Sequence, residues 1–330
     1  MKKLINKKEN IVKEMIDGMI KAFPNSIESV KDLPIIVRKE KKNKKVALIS
    51  GGGSGHEPAH AGFVGYGMLD AAVAGEIFTS PSADKVYEAI KAVDSGAGVL
   101  LIIKNYSGDV MNFEMAAEMA EMEGIKVGKV IVDDDIAVEN STYTVGRRGI
   151  AGTVFVHKIL GAAAEAGYSL ENLEKLGKVV VENIKTMGMS LKSCMVFTTE
   201  KNSFDLAEDE VEIGLGIHGE PGTHREKFVD ANTHVDHLLE KILKESKIEN
   251  EKVAVLINGL GETTLIELFI VNNRVTDILK EKNIIIEKTL VGNYMTSLDM
   301  GGFSITILKL NDEIEKLLNA KSDTVALKTF

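Results

Sequence analysis

Apolar residues recur at helical spacing near the start of the chain, where Ile11, Val12, Met15, Ile16, Met19, Ile20 and Phe23 fall on one stripe. Asn10 offers a cap and Pro24 a stop, so a helix is predicted between them. The pattern then changes. Short apolar runs at 46–49, 69–74, 99–103 and 127–132 read as strands buried on both faces. Helical segments separate them, one opened by Ser80-Pro81 with Val86, Ile90 and Val93 on a single stripe. That rhythm predicts an α/β fold, a largely parallel or mixed sheet covered by helices.

A helical block at 150–187, broken near Gly161 and at Gly167-Tyr168-Ser169, leads into a second alternation. Strands are expected there at 195–198, 211–217, 253–257, 284–290 and 303–308. Gly188-Met189-Ser190 interrupts the pattern, so the expected boundary lies near Thr186. This gives an N-terminal α/β domain over 1–186 and a C-terminal one over 187–330. The length of 330 residues suits two such domains better than one.

Composition narrows the function classes. With 44% hydrophobic and 27% charged residues, the chain reads as globular and not disordered. A net charge of -9 argues against nucleic acid as a partner, because phosphate binding needs a basic surface. The basic run at 38–45 reads as a solvated connection. Cys194 is the only cysteine and lies in an apolar run, which points to packing and a reducing compartment. No stretch approaches the ~18 apolar residues of a membrane span, and the first nine residues turn charged before a signal core could form. A cytoplasmic location without membrane attachment is expected.

Candidate chemistry collects in three loops at expected strand ends, where open α/β sheets bind ligands. The first is Ser50-Gly51-Gly52-Gly53-Ser54-Gly55-His56-Glu57-Pro58, whose glycines allow close backbone approach while Pro58 suits the first turn of a helix. A plain strand–helix turn is the competing reading. No Gly-Lys-Ser or Gly-Lys-Thr follows, so it is not a nucleotide P-loop. The second is Lys104-Asn105-Tyr106-Ser107-Gly108-Asp109, offering a cation and a carboxylate, or simply an Asp capping the next helix. The third, Gly214-Leu215-Gly216-Ile217-His218-Gly219-Glu220-Pro221-Gly222, leaves His218 few neighbours; His224, His234 and His237 read as ordinary surface histidines.

Two motifs invite a metal. His56-Glu57-Pro58-Ala59-His60 matches H-E-x-x-H formally, but a zinc site needs both histidines on one face of a continuous helix. Glycines before His56 and Pro58 within the motif oppose that geometry. Asp133-Asp134-Asp135 lacks calcium-loop spacing and reads as a solvated turn pairing with Arg147 and Arg148. No metal is assigned to the chain.

Together the three loops, with Gly75-Glu76-Ile77-Phe78-Thr79-Ser80-Pro81, Gly146-Arg147-Arg148-Gly149 and Thr296-Ser297-Leu298-Asp299-Met300, resemble dihydroxyacetone kinase, from the first residues to about Leu310. The resemblance implies two α/β domains with the substrate between them, in a homodimer. It implies that Gly53, Ser54, Gly55, His56, Lys104 and Asp109 line the triose, and that His218 captures its ketone carbon as a covalent hemiaminal. Asp109 would accept the proton of the attacking hydroxyl, His56 would share or orient it, and Lys104 would hold a substrate oxygen. Covalent capture also makes chemical sense. An imidazole adds to a ketone, and glycerol offers no such electrophile.

Single-chain members of the family continue into a helical nucleotide-binding domain, whereas this sequence stops at Phe330. The expectation is therefore the bacterial phosphotransferase-linked type. The chain itself binds no cofactor, ADP or ATP with magnesium sits on a partner subunit, and a phosphotransferase-system protein supplies the phosphoryl group. Alternatives are a paralogous dihydroxyacetone-binding sensor or coactivator and, third, a zinc hydrolase using the 56–60 segment. Metal analysis of the purified protein tests the last.

Overall fold

The apolar runs of the first half become the strands Ala47–Ser54, Ala71–Ile77, Val99–Lys104 and Val127–Val132. They lie side by side and parallel, in the order 71–77, 47–54, 99–104, 127–132. Successive side chains on a strand point to opposite faces. Accordingly Ile49, Val73 and Leu101 pack with the helices Ala83–Val93 and Ser107–Met122. Their neighbours Leu48, Ala72, Leu100 and Ile102 pack on the other side with the helices Thr153–Glu165 and Leu170–Glu182. Both faces are dry along 47–54 and 99–104, which is why those runs are continuous. The edge strand 127–132, expected to be buried on both faces, instead exposes Lys129 and half-buries Val127 and Ile131, because among the described residues no further strand or helix covers that side fully. Antiparallel strands Ile27–Ser29 and Ile35–Arg38 extend one edge. This computed structural model describes residues 2–41, 43–139, 146–197 and 199–330.

The first helix spans Ile11–Ala22 after Asn10. The helix expected at Ser80-Pro81 opens at Ala83, with Ser82 as its N-cap residue. The helical block at 150–187 ends early: at Ile184 the chain enters the strand Ile184–Lys192. Gly188-Met189-Ser190 lies inside that strand, where Gly188 lets Ser304 of the neighbouring strand approach to 3.2 Å from where a Cβ would stand. The change from first to second sheet falls between the helix ending at Glu182 and the strand beginning at Ile184.

The second sheet runs 224–227, 210–213, 184–192, 301–309, 252–259, 285–292. Only Lys252–Gly259 and Ile285–Gly292 are parallel, because only that pair is joined by a crossover helix, Leu265–Glu281. One face carries Met187, Met189, Val255, Ile257, Ile305 and Ile307 against this helix and Ala231–Ser246. The opposite face is mixed: Ile184, Ala254, Leu256 and Leu308 join the core of the first half, while Thr186, Ser190, Asn258, Ser304 and Thr306 are polar and buried. The expected strand at 211–217 stops at Ile213, and Met195–Val196 pairs only with Lys201–Asn202 in a separate ribbon. Thr198, at the end of that expected strand, lies outside the described residues.

After Lys309 the chain returns to the first half. The helix Asp312–Asn319 adds Ile314, Leu317 and Leu318 to the same core as Thr153–Glu165, and Ser322–Thr324 pairs with Gly65–Tyr66.

The basic run is not simply solvated. Arg38 and Lys45 at its ends are buried, facing Asp70 and Glu165 in a charge-balanced cluster. Paired in this way, the cations need not reach water. Cys194 is buried, as its apolar run implies. Among the described residues, no helix is long and apolar enough to cross a membrane.

Candidate active site

The glycine-rich segment is strand for most of its length, not loop. Ala47–Ser54 keeps its register through Gly51, Gly52 and Gly53 against Val73, Ala74 and Gly75. The glycines answer crowding. A Cβ on Gly53 would stand 2.6 Å from the Thr79 nitrogen, and one on Gly52 would point at Lys104 Nζ and Asp109 Oδ2, 3.3 Å from each. Gly52, which sequence reasoning did not single out, thus keeps open the space between that ammonium and carboxylate. The Ser54 hydroxyl donates to the Gly75 carbonyl at 2.7 Å. Gly55 (φ 110°) accepts a hydrogen bond from the Leu298 amide at 2.7 Å.

No helix starts at Pro58. Residues 56–60 form a bend and turn, so the H-E-x-x-H segment presents no common helical face. His56 and His60 go to different partners. The His56 Nδ1 lies 2.8 Å from the Thr296 carbonyl oxygen. A carbonyl can only accept, so Nδ1 carries the proton and Nε2 keeps its lone pair. That Nε2 is buried and without a partner. The Thr296 segment is itself pinned: Asn258 accepts from the Tyr294 and Met295 amides at 3.0 and 2.9 Å, and Thr296 Oγ1 donates to the Glu57 carbonyl. The second half of the chain therefore sets the tautomer of a histidine in the first.

Lys104 ends its strand and Asp109 sits in the first turn of Ser107–Met122. Asp109 is buried, so it does more than cap a solvated turn. Lys104 Nζ and Asp109 Oδ1 have no hydrogen-bond partner. Burial pushes the Asp109 carboxyl up, opposed by the Lys104 cation and a Ser80 hydrogen bond. Burial also pushes Lys104 down, opposed by Asp109, Glu220 and Asp134.

His218 reaches the same place from the second half. Its ring centroid is 4.8 Å from that of His56, 5.6 Å from Phe78 and 4.2 Å from Tyr106, edge-on to each. Phe78 also stacks on His56 at 5.4 Å. Sequence reasoning missed Tyr106, Phe78 and Thr296 as wall and support, although each lies in a motif it quoted. Desolvation first, then His56, Lys104 and Arg148, holds the His218 imidazole well below its usual range. Desolvation and Lys104 do the same for His56. Both imidazoles are thus neutral near pH 7, the form able to add to a carbonyl or take a proton.

Other residues part from expectation. His224 and His237 are exposed, but His234 is buried and its Nε2 accepts from the Val229 amide at 3.1 Å. Asp134 and Asp135 are buried, not solvated. Asp134 accepts from the Ile150 and Gly152 amides ahead of Thr153–Glu165, and Asp135 pairs with Arg148 as expected. Arg147 pairs instead with Glu245.

Behind the site His60 Nδ1 lies 2.9 Å from His157 Nε2 and 3.2 Å from Ser50 Oγ. Burial first, and Lys104 second, lowers His157 to about 3. Between that value and 6.5 the unfolded chain binds a proton that the folded chain refuses, so stability falls as pH falls. The loss is about 1.4 kcal/mol per pH unit, or roughly 2 kcal/mol from pH 6.5 to 5. Asp135, held at about 6, titrates in the opposite sense. Urea unfolding at both pH values, taken as the difference between the chain and His157→Gln, removes that contribution. A difference that does not change with pH would contradict a neutral buried His157.

A two-sheet α/β protein that brings imidazoles from both halves beside a buried ammonium and carboxylate is equipped for nucleophilic and acid–base chemistry on a small polar ligand. The Dak1 domain family matches residues 17–326, and the chain belongs to that family. It is 54% identical over 328 residues to the dihydroxyacetone-binding subunit DhaK of PTS-dependent dihydroxyacetone kinase 1 from Listeria innocua, covering 99% of this chain and 100% of the relative. Among solved structures it is similar to the dihydroxyacetone kinase operon co-activator Dha-DhaQ, with a TM-score of 0.91 and 39% identity over 96% of this chain and 98% of that one. The dihydroxyacetone kinase of C. freundii superposes with a TM-score of 0.88 and 38% identity over 99% of this chain and 60% of that one.

Proposed function

We propose that this chain is the substrate-binding subunit of a dihydroxyacetone kinase, holding the triose as a hemiaminal on His218 and presenting a terminal hydroxyl for phosphorylation. The observation that carries this reading is the convergence of His56 Nε2, Lys104 Nζ and Asp109 Oδ1, all buried and unpartnered, beside His218. Buried polar groups without partners are costly unless a ligand completes them.

In the capture step, the lone-pair nitrogen of neutral His218 forms a bond to the ketone carbon as the carbonyl π bond breaks. The proton on the other ring nitrogen passes to the new carbinol oxygen, so no atom is lost. Lys104 donates to a substrate oxygen. Asp109 accepts the proton of the attacking hydroxyl, and His56, its tautomer set by Thr296, orients that hydroxyl. Phosphoryl transfer then needs mainly positioning and charge stabilisation. The nucleotide and magnesium belong to a separate partner subunit, recharged by a phosphotransferase-system protein; the Listeria relative is likewise the dihydroxyacetone-binding subunit of a PTS-dependent kinase. The chain works in the cytoplasm as a homodimer, and light scattering of the purified protein tests the dimer.

The likeness to the operon co-activator favours a second reading, in which the same pocket captures the triose only as a signal. Adding the nucleotide-carrying subunit and its phosphodonor decides between them. A kinase subunit yields dihydroxyacetone phosphate and the isolated chain with ATP yields none. A sensor yields none in either case.

A further inference from the structure

The loop that carries His218 begins at Gly214 and returns at Glu220, and one side chain from the first half spans both ends. Arg148 is 1% exposed, among the largest fully buried side chains. Its Nη2 donates to the Gly214 carbonyl at 2.7 Å, and its Nη1 stands 3.5 Å from Glu220 Oε1. The other Glu220 oxygen accepts from the His218 backbone amide at 2.8 Å. The arginine is anchored behind by Asp135, which accepts from its Nε at 2.7 Å, and its own carbonyl accepts from the Asp135 amide. Gly216 closes over the pair: a Cβ there would fall 1.7 Å from Glu220 Oε1 and 3.0 Å from Arg148 Nη1.

We propose that Arg148 and Glu220 are positioning residues for the covalent step, a clasp through which the first half of the chain fixes the height and angle of the His218 imidazole over the substrate. The inference rests on the hemiaminal reading above. The geometry gives the clasp two effects. Glu220 locks the backbone of His218 itself, and Arg148 ties that lock to the segment beside Lys104, where a Cβ on Gly149 would fall 2.9 Å from the Lys104 Cα. The guanidinium also joins His56 and Lys104 in disfavouring a protonated His218, while the uncharged Tyr106 ring packs against its edge. Glu220, whose carboxylate accepts from the His218 amide, brings an opposing charge into the loop itself.

The test uses the full chain and three variants, Arg148→Met, Arg148→Lys and Glu220→Gln, each checked by circular dichroism and thermal melting. Titration with dihydroxyacetone under native mass spectrometry reads adduct affinity, and 15N-histidine NMR of the unliganded chain reads the titration of His218. Arg148→Met is expected to weaken the adduct about tenfold to a hundredfold and to move the His218 titration to higher pH. Arg148→Lys restores the titration but not the affinity, because ammonium lacks the planar fork. Glu220→Gln weakens the adduct and moves the titration the other way, to lower pH, which loosened packing alone would not do. Folded Glu220→Gln or Arg148→Met protein with unchanged affinity and unchanged titration overturns the proposal. Should the unsubstituted chain form no adduct, the hemiaminal reading fails; the NMR titrations still judge the clasp, which is overturned if neither variant moves them.

Discussion

Replacing Asp109 by Asn is expected to lower turnover of the assembled kinase roughly 10²- to 10⁴-fold, the usual worth of a positioned general base, while the triose adduct still forms. Asparagine keeps the size and the contact toward Ser80 but cannot accept a hydroxyl proton. Burial raises the Asp109 carboxyl, making it a stronger base than a solvated aspartate, and the Lys104 cation opposes that rise. Its free oxygen lies in the same buried space as Lys104 and His56. Capture depends on a different atom, the nucleophilic nitrogen of His218, so the two steps separate. Steady-state turnover with the partner subunit, set beside native mass spectrometry of the variant, measures both. Full turnover by Asp109→Asn would remove the base from the mechanism. Loss of the adduct would instead place Asp109 in capture.

His218→Ala has the opposite signature. The adduct is expected to vanish, and the concentration of dihydroxyacetone needed for half-maximal turnover to rise roughly a hundredfold or more, the scale on which one well-placed group separates accepted from rejected ligands. The remaining groups still offer hydrogen bonds, but those serve glycerol as well as the ketone. Discrimination between the two therefore falls along with affinity. The substitution leaves Phe78 stacked on His56 and the Tyr106 ring 5.4 Å from Lys104 Nζ, so these walls of the site keep other support. A variant that keeps selectivity for the ketone over glycerol would show that capture is not covalent.

The first sheet was readable because its central strands are apolar on both faces and the crossovers after 71–77 and 99–104 are helical, so the run at 99–103 stands out. The second sheet was less so. Ile184–Lys192 reads Ile-Lys-Thr-Met-Gly-Met-Ser-Leu-Lys, with small polar residues on one face, and that alternation blends into the preceding helix. Short edge strands such as Ile27–Ser29 and His224–Lys227 carry too little pattern to announce themselves. The site residues His56, Lys104, Asp109 and His218 were visible through motifs. Their support was not. Nothing local says that Thr296 fixes the tautomer of His56, 240 positions away, or that Arg148 reaches Glu220 across 72. Nor does a basic run announce that its terminal Arg38 and Lys45 are buried, since the compensating Asp70 and Glu165 come from elsewhere in the chain.

The most direct test of covalent capture is native mass spectrometry of the purified chain with dihydroxyacetone and with glycerol, followed by peptide mapping of the reduced adduct. The expected result is a gain of one intact triose per chain, seen only with the ketone and mapped to the peptide containing His218. A well-folded chain that gains no mass, or gains it equally with glycerol, would contradict a hemiaminal on His218.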